Sequence, residues 1–396
     1  MPSLSQVAAA IRPSVFSDLQ AAIAARRARG GDVISFHIGD SYRLPLDAAR
    51  FEVSCTNERD ALYGYGATAG LAELRSAVAA SLSRAERAFE GVDGERHVLV
   101  GVGATHALSC AARILLDGGD EVLLASPYWP LAHGIFQACG ARTLEVPLTS
   151  RLYADPSLDV GDLLRAAVTP RTRALYFITP NNPDGKMMAE AQLAQIARFA
   201  VEHDLWVIAD EVYADYTFGR RHVSIARLPG MRERTVTMFS FSKSHGLAGA
   251  RVGYIVAPEH VVAAARKTST HSVFNVPVLM QRAALRALEG GGEWLAESRA
   301  DYLAARDIAG AALAGSAARF SLADGGAYLF LDFTELLEGR PLRLLLERAI
   351  HEGVLLAPGD AFGKDFTTWA RLCYTAVSRE DLRVGLARLS SAIASF

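Results

Sequence analysis

A lysine within a short stretch of small and polar residues carries the most informative chemistry of this chain. Lys243 follows Ser240 and Ser242 in the sequence SFSKSHGLAGARVGY, and Arg251 comes eight residues later. A lysine amine that forms a Schiff base needs a short, fixed tether. A nearby arginine can hold a dianionic phosphate through its planar guanidinium, and serine hydroxyls can complete the phosphate cup. The spacing predicts a Schiff-base lysine beside a phosphate site, with a surface lysine and arginine flanking a turn as the alternative.

This segment resembles the cofactor lysine segment of pyridoxal-phosphate (PLP) enzymes of the aspartate aminotransferase type, and PLP chemistry needs a protonated pyridine nitrogen. A buried carboxylate beside that nitrogen raises the nitrogen's pKa by charge pairing. Asp210 ends the apolar run LWVIAD, and the carboxyl ends of parallel strands open onto ligand sites. We therefore expect Asp210 to pair with the pyridine nitrogen. An aspartate that caps the following turn is the alternative.

Three further side chains are candidates for contacts with the PLP ring. Tyr213 lies three residues after Asp210 in DEVYADY, and Asn182 lies in TPNNPDG after the run ALYFIT. Both can donate a hydrogen bond to the ring oxygen, although the second motif by itself favours an ordinary turn. Trp129 in SPYWPLAH is the candidate for stacking on the ring. A core aromatic is the alternative there.

Backbone amides at a helix N-terminus are suited to bind phosphate. The sequence VGVGATHAL predicts a strand, a turn and a helix, which makes Gly103, Ala104 and Thr105 candidate phosphate ligands. A dinucleotide-binding fingerprint is the competing interpretation, but His106 stands where its third glycine is required. The pattern therefore favours a phosphate site of another kind.

An amino-acid substrate presents a carboxylate, which an arginine binds best through two parallel hydrogen bonds. Arg371 lies in the apolar run ARLCYTA, where an unpaired charge is costly. We therefore expect Arg371 to bind the substrate's α-carboxylate. A buried structural ion pair is the alternative.

The elements that must position these residues follow from the hydrophobic pattern. From about residue 70, apolar runs alternate with helical periodicity, which is typical of an α/β domain with a mostly parallel sheet. The predicted strands are 97–103, 121–126, 174–179, 205–210, 236–242 and 252–257, with a long helix at about 188–203. After about residue 285 we expect a smaller α+β unit, with helices at about 293–315 and 341–351 and strands at 327–333, 354–358 and 370–376. The predicted divisions are an N-terminal arm with part of the small domain (1–45), a large PLP-binding domain (46–285) and a small C-terminal domain (286–396).

Composition and charge limit the classes of function. The 396 residues are 51% hydrophobic and 21% charged, with a formal net charge of −2, which is typical of a globular protein and argues against general nucleic-acid binding. No apolar run approaches the roughly 20 residues that span a bilayer. The four cysteines are scattered without a CxxC pair, which argues against a zinc site and favours a reducing compartment. We expect a cytoplasmic protein with no metal, no membrane and no nucleic-acid partner.

From about residue 30 to the C-terminus, the chain resembles a class I/II aminotransferase, a PLP enzyme of fold type I. The matching pieces occur in the family's order: FHIGD, YGYGATAGLAELR, GVGATHAL, SPYW, NNPDG, DEVY, SFSKSHGLAGARVG, PGDAFG and ARLCYTA. The resemblance implies an α/β fold, with a mostly parallel seven-stranded sheet between helices in a large domain and a smaller α+β C-terminal domain. It also implies PLP as the cofactor and a homodimer with shared active sites, in which Tyr65 reaches the cofactor phosphate of the second subunit.

The resemblance further implies a role for each matching residue. Lys243 forms the Schiff base with PLP and then moves the substrate's α-proton. The implied PLP contacts are Asp210 at the pyridine nitrogen, Tyr213 and Asn182 at the ring oxygen, Trp129 on the ring face, and Ser240, Ser242, Arg251, Ala104 and Thr105 at the phosphate. Arg371 binds the α-carboxylate with help from Asn182 and the backbone at Gly39.

The loop after Gly39 departs from the family pattern. Its sequence DSYRLP replaces the commoner GEPDF-like run, so Tyr42 and Arg43 are candidate substrate-specificity residues, with solvent-facing side chains as the alternative. Asp184 also stands where the family usually has threonine in NNPDG. Such loops carry function on fixed scaffolds.

These observations favour a PLP-dependent aminotransferase that moves the amino group of an L-amino acid to a 2-oxo acid by a ping-pong mechanism. The unusual loop keeps open a same-fold PLP enzyme that catalyses elimination, cyclisation or oxidation in a specialised biosynthetic pathway. A regulator that uses this fold as a sensor needs a DNA-binding module, and no basic recognition helix is evident before Gly39.

Overall fold

The computed structural model describes residues 2–11, 19–54, 62–83, 89 and 91–396; Cys55 and part of the predicted N-terminal arm lie outside these ranges. The strands are β1 Ile34–Ser35, β2 Val98–Val102, β3 Glu121–Ala125, β4 Arg142–Val146, β5 Thr172–Ile178, β6 Trp206–Asp210, β7 Thr235–Ser240, β8 Val252–Val256, β9 Tyr328–Asp332, β10 Val354–Leu355, β11 Ala357–Pro358 and β12 Trp369–Cys373. The helices are α1 Gln6–Ala10, α2 Gln20–Ala28, α3 Phe51–Ser54, α4 Ala72–Ser83, α5 Gly94–His97, α6 Gly103–Leu115, α7 Pro130–Ala138, α8 Leu148–Ala154, α9 Val160–Arg165, α10 Glu190–Glu202, α11 Phe241–Ser244, α12 Glu259–Val273, α13 Val278–Gly290, α14 Gly292–Leu313, α15 Thr334–Leu337, α16 Leu342–Glu352 and α17 Arg379–Ala394.

A seven-stranded sheet in the order β2-β8-β7-β6-β5-β3-β4 forms the centre of the chain. Only β8 runs antiparallel to its neighbours among these strands; the other pairs are parallel. Helices α6, α7 and α12 cover one face, and α9 and α10 pack on the other. Because both faces are covered, the central strands are buried along almost their whole length and are mostly apolar, as in other parallel sheets. The predicted α/β fold with a mostly parallel seven-stranded sheet is confirmed.

Two predicted strands differ from the observed elements. The run predicted at 236–242 ends at Ser240, because the Ser240 hydroxyl accepts a hydrogen bond from the Ser242 amide (3.2 Å) and starts helix α11. The run predicted at 354–358 forms two short strands that join different sheets. β10 pairs with β1, whereas β11 pairs with β12. The first difference places Lys243 on a helical turn instead of just beyond a strand.

The C-terminal part forms the smaller α+β unit. Strands β11, β12 and β9 form an antiparallel sheet, and α14, α16 and α17 share a buried core with it. The pairing of β1 with β10 joins the N-terminal segment to this unit. The domain limits stay a prediction. The proposed division after residue 285 falls within α13, and Gly291 is the nearest break between elements.

Candidate active site

A cavity of ≈ 240 Å³ lies where β5, β6 and β7 end at their carboxyl termini. It is lined by Gly39, Ala104, Thr105, Trp129, Ile178, Asn182, Asp210, Val212, Tyr213, Met238, Ser240, Ser242, Lys243, Ala248, Arg251, Tyr328 and Arg371. These include every candidate site residue from the sequence except Gly103, Tyr42, Arg43 and Tyr65. A larger cavity of ≈ 750 Å³ lies at the other end of these strands, beside Thr235 at the start of β7 and Val256 at the end of the antiparallel β8. None of the candidate residues lines it. The chemistry therefore belongs to the smaller cavity.

Lys243 is partly buried on α11, and its amine donates a hydrogen bond to the carbonyl oxygen of Gly39. Burial lowers the pKa of this amine, although nearby Cys373 and Asp40 partly oppose the shift. A lower pKa increases the fraction of neutral amine at neutral pH, and the neutral form is the nucleophile. The position of Lys243 is therefore suited to attack an aldehyde.

Asp210 ends β6 and is only 4% exposed. Its carboxylate accepts hydrogen bonds from the Tyr176 hydroxyl (2.9 Å) and the Val212 amide (3.3 Å). Burial raises the pKa of Asp210 to about 6, while the hydrogen bonds from Tyr176 and Val212 and the nearby Lys243 amine partly oppose the shift. A buried carboxylate of this kind gains from a cationic partner, which fits a protonated pyridine nitrogen.

Asp210→Asn is expected to remove a pH-dependent loss of stability from the cofactor-free protein. The folded state holds the Asp210 proton more tightly than the unfolded chain, so the free energy of unfolding falls as the pH rises from about 4 to about 6. A shift of this size corresponds to roughly 3 kcal/mol. Urea titrations at pH 4 and pH 7 should show wild type losing stability relative to the variant over that interval, whereas the exposed control Asp360→Asn should follow wild type. A variant whose stability follows wild type at both pH values would contradict the assignment of the raised pKa.

The predicted phosphate cup gathers at the start of α6. Ala104 and Thr105 lie in its first turn, and the Arg251 guanidinium donates to the Ser242 hydroxyl (3.3 Å) from the other side. Gly103 has a φ of 72°, and a Cβ there would lie 2.5 Å from an Arg251 nitrogen. Glycine is therefore required for Arg251 to approach the helix end. A helix N-terminus beside a guanidinium is suited to a phosphate.

His106, which stands where a dinucleotide-binding fingerprint requires its third glycine, supports this cup. Its Nδ1 accepts a hydrogen bond from the Val102 amide (3.2 Å), and its Nε2 lies 3.0 Å from the Ser272 hydroxyl oxygen. The imidazole thus fixes the backbone that leads into α6. His106 thus has a structural role next to Thr105, which lines the cavity.

Arg371 is 6% exposed and lines the same cavity. Its guanidinium donates to the Asn182 side-chain oxygen (2.8 Å) and to the His37 carbonyl (2.6 Å), both neutral acceptors. Its Nε has no hydrogen-bond partner among the described residues. A buried guanidinium with neutral acceptors and an unused donor fits a substrate carboxylate better than the alternative of a structural ion pair. Because Asn182 accepts through its oxygen, its amide nitrogen is left to donate to a cofactor oxygen.

Trp129 precedes α7, just beyond the carboxyl end of β3, and its partly buried ring lines the cavity. Tyr213 is buried and also lines the cavity, and burial holds the pKa of its hydroxyl well above the usual value, with Tyr328 as the second cause. The Tyr213 hydroxyl therefore stays protonated and can act as a donor. Both placements agree with the contacts expected from the sequence.

Besides Gly103, three candidates do not line this cavity. The Tyr42 hydroxyl donates to Asp301 (2.7 Å), and the Arg43 guanidinium pairs with Glu297 (3.2 Å), so that α14 holds both side chains. Their assignment to substrate binding stays a prediction, and the contacts seen within the chain are structural. Tyr65 is 90% exposed and likewise lies outside the cavity. The interior contact that sequence reasoning missed is Tyr328, because it lies in an apolar strand without a motif that signals chemistry.

The chain is similar to known proteins over almost its whole length. A family model for aminotransferase class I and II matches residues 31–389. The arginine–pyruvate transaminase AruH of Pseudomonas aeruginosa is 35% identical over 314 residues, which cover 78% of this chain and 77% of the relative. A probable aspartate/prephenate aminotransferase of Aquifex aeolicus is 33% identical over 97% of this chain and 96% of its own length. A Thermus thermophilus aspartate aminotransferase single mutant superposes with a TM-score of 0.90 at 28% identity, covering 99% of this chain and 100% of the other.

The fold, the cavity and these similarities define a PLP enzyme of fold type I, and the chain belongs to the class I and II aminotransferase family. Its activity is that of a PLP-dependent aminotransferase, as the sequence predicted. Elimination, cyclisation and oxidation gain no support from these relatives, whose names describe amino-group transfer.

Proposed function

We propose that the 240 Å³ cavity binds PLP together with an L-amino acid, and that the enzyme passes the amino group to a 2-oxo acid in two half-reactions. The observation that carries this proposal is the buried guanidinium of Arg371, whose hydrogen-bond acceptors among the described residues are neutral and which shares the cavity with the amine of Lys243. An amino acid offers a carboxylate to the first and an amino group near the second. No simple amine or oxo compound without a carboxylate uses both.

Within this proposal, PLP supplies an electron sink for the substrate's α-carbon. Lys243 holds the cofactor and then acts as the base and acid that moves the α-proton, a task suited to an amine with a lowered pKa. Asp210, at the carboxyl end of β6, would pair with the pyridine nitrogen and keep it protonated. Arg371 orients the substrate, so that the α-proton faces Lys243.

We also propose a homodimer with shared active sites. Tyr65 and Tyr63 are 90% and 89% exposed, and the Tyr65 ring packs edge-on against the half-exposed Phe274 at 4.9 Å. Exposed aromatic residues in one patch are typical of a protein interface. The surface suits a second copy of this chain, with Tyr65 reaching the partner's phosphate cup. A sedimentation experiment that finds only monomer at concentrations that support full activity would exclude this arrangement.

No helix among the described residues is long and apolar enough to cross a bilayer. The described cysteines Cys110, Cys139 and Cys373 are free thiols. We propose a cytoplasmic location, since free thiols persist in a reducing compartment. Fractionation that recovers the native protein only in an oxidising compartment would rule it out.

The PLP-loaded enzyme is expected to complete half of the reaction with an amino donor alone. Mixing it with acidic, basic, aromatic and apolar amino acids should convert the cofactor absorbance to that of pyridoxamine phosphate for the preferred donor, and pyruvate or 2-oxoglutarate should reverse the change. The relatives named for arginine, pyruvate and aspartate make these the first compounds to test. Release of ammonia without an oxo-acid acceptor, with no pyridoxamine phosphate formed, would favour elimination instead.

A further inference from the structure

We infer that Tyr328 is a positioning residue. It connects Tyr213 and Asn182, the two proposed hydrogen-bond donors to the cofactor ring oxygen, with the substrate-binding Arg371. Its hydroxyl orients the Tyr213 hydroxyl toward the cofactor, and its ring supports the guanidinium of Arg371. The inference rests on the proposed function, because it assigns a partner to residues placed around PLP there.

Tyr328 begins β9 and is 1% exposed. Its hydroxyl oxygen lies 2.6 Å from that of Tyr213, and the two rings meet edge-on at 5.6 Å. A Cβ on Gly39 would lie 1.9 Å from the same hydroxyl oxygen, so only glycine leaves room for it. The Gly39 carbonyl in turn accepts from Lys243. The Tyr328 hydroxyl thus sits at a tightly packed junction beside the reactive amine.

The direction of the tyrosine pair follows from the number of protons. Each phenol carries one proton. If Tyr213 donates its proton to the cofactor ring oxygen, its own oxygen can only accept from Tyr328. The Tyr328 hydroxyl is therefore the donor, and the two O–H groups form a chain in which each hydrogen bond strengthens the next. Without Tyr328, the Tyr213 hydroxyl is free to rotate away.

The second contact of Tyr328 is with the substrate arginine. The Arg371 guanidinium carbon lies 4.4 Å from the centre of the Tyr328 ring and 4.9 Å from the centre of the Phe362 ring. A guanidinium near aromatic faces is held electrostatically as well as by packing. The same guanidinium donates to Asn182. Tyr328 therefore contacts one ring-oxygen donor directly and the other through Arg371.

Two substitutions separate these contacts. Tyr328→Phe removes the hydroxyl and keeps the ring. It should lower kcat by about 2- to 10-fold, the rate change that corresponds to the loss of one neutral hydrogen bond. The KM for the amino acid should change little. Tyr328→Leu also removes the ring, so it should raise KM in addition. Tyr302→Phe is the matched control, because Tyr302 is a buried tyrosine outside the cavity lining.

The decisive readout is the pH midpoint of the absorbance change of the enzyme-bound cofactor. A hydrogen-bond donor at the ring oxygen stabilises its anionic form, so losing the orienting bond should raise this midpoint in Tyr328→Phe. The rise should be smaller than in Tyr213→Phe, and the double variant should match Tyr213→Phe alone, because Tyr328 acts through Tyr213. Tyr302→Phe should leave the midpoint unchanged.

The inference is overturned if Tyr328→Phe leaves the midpoint at the wild-type value, or if the shifts of the two phenylalanine variants add. Its failure is distinct from that of the proposed function. A protein that still converts bound PLP to pyridoxamine phosphate but shows additive shifts keeps the function and loses the role of Tyr328.

Discussion

Lys243→Ala is expected to lower kcat by at least roughly 10²-fold, and by up to about 10⁴-fold, because the variant lacks the group that moves the α-proton. PLP should still bind, since the Arg251 guanidinium, the start of α6 and the Asp210 carboxylate remain. Steady-state rates and the spectrum of the PLP-loaded variant measure both parts of this expectation. Lys267→Ala, which removes an exposed lysine on α12, is the control and should retain wild-type turnover.

One outcome of that experiment would count against the account. Wild-type turnover in Lys243→Ala would remove the catalytic assignment of this lysine. Loss of PLP binding together with loss of folding would leave the rate uninformative, so a thermal unfolding curve of each variant belongs to the same experiment. Recovery of part of the rate with added small amines would support a proton-transfer role.

Arg371→Leu should abolish the enzyme's preference for amino acids over amines. Removing one member of a buried charge pair costs about 2–5 kcal/mol, so kcat/KM for the amino acid should fall by roughly 30- to 5,000-fold. Leucine fits between the Phe362 and Tyr328 rings, which limits the effect on folding. The kcat/KM of Arg371→Lys for the amino acid should lie between those of wild type and Arg371→Leu. The lysine ammonium keeps the positive charge but lacks the planar fork of the guanidinium.

The informative quantity is the ratio of kcat/KM for an amino acid to that for the same compound without its carboxylate. Loss of the Arg371 bond to Asn182 can slow both substrates, but it leaves their ratio unchanged. The ratio should be large in wild type and approach one in Arg371→Leu. An unchanged ratio would show that another group binds the carboxylate.

The sequence predicted those parts of the site that depend on local pattern. Apolar runs such as LWVIAD form strand β6, and parallel order brings their final polar residues to one edge of the sheet. The strand, glycine and helix of GVGATHAL are found as β2 and α6. Both patterns lie within about a dozen consecutive residues, where hydrophobicity and turn chemistry determine the structure.

Contacts between distant segments could not be predicted in the same way. Tyr328 meets Tyr213 across 115 residues, and Tyr42 meets Asp301 across 259. Tyr328 lies in the apolar strand β9, where no sequence motif indicates a role for its hydroxyl. Tyr42 lies in a loop that the sequence assigned to substrate binding, but α14 supplies a buried carboxylate for its hydroxyl. In both cases the contact joins segments that are far apart in the sequence and meet only in the folded structure.

The central claim is that one lysine carries the cofactor. Borohydride reduction of the PLP-loaded enzyme, followed by mass spectrometry of its peptides, tests this directly. The predicted result is a phosphopyridoxyl group on the peptide that contains Lys243, lost when Lys243→Ala is treated in the same way. A protein that stays colourless with PLP, or that carries the group on Lys186, Lys267 or Lys364 instead, would contradict the account.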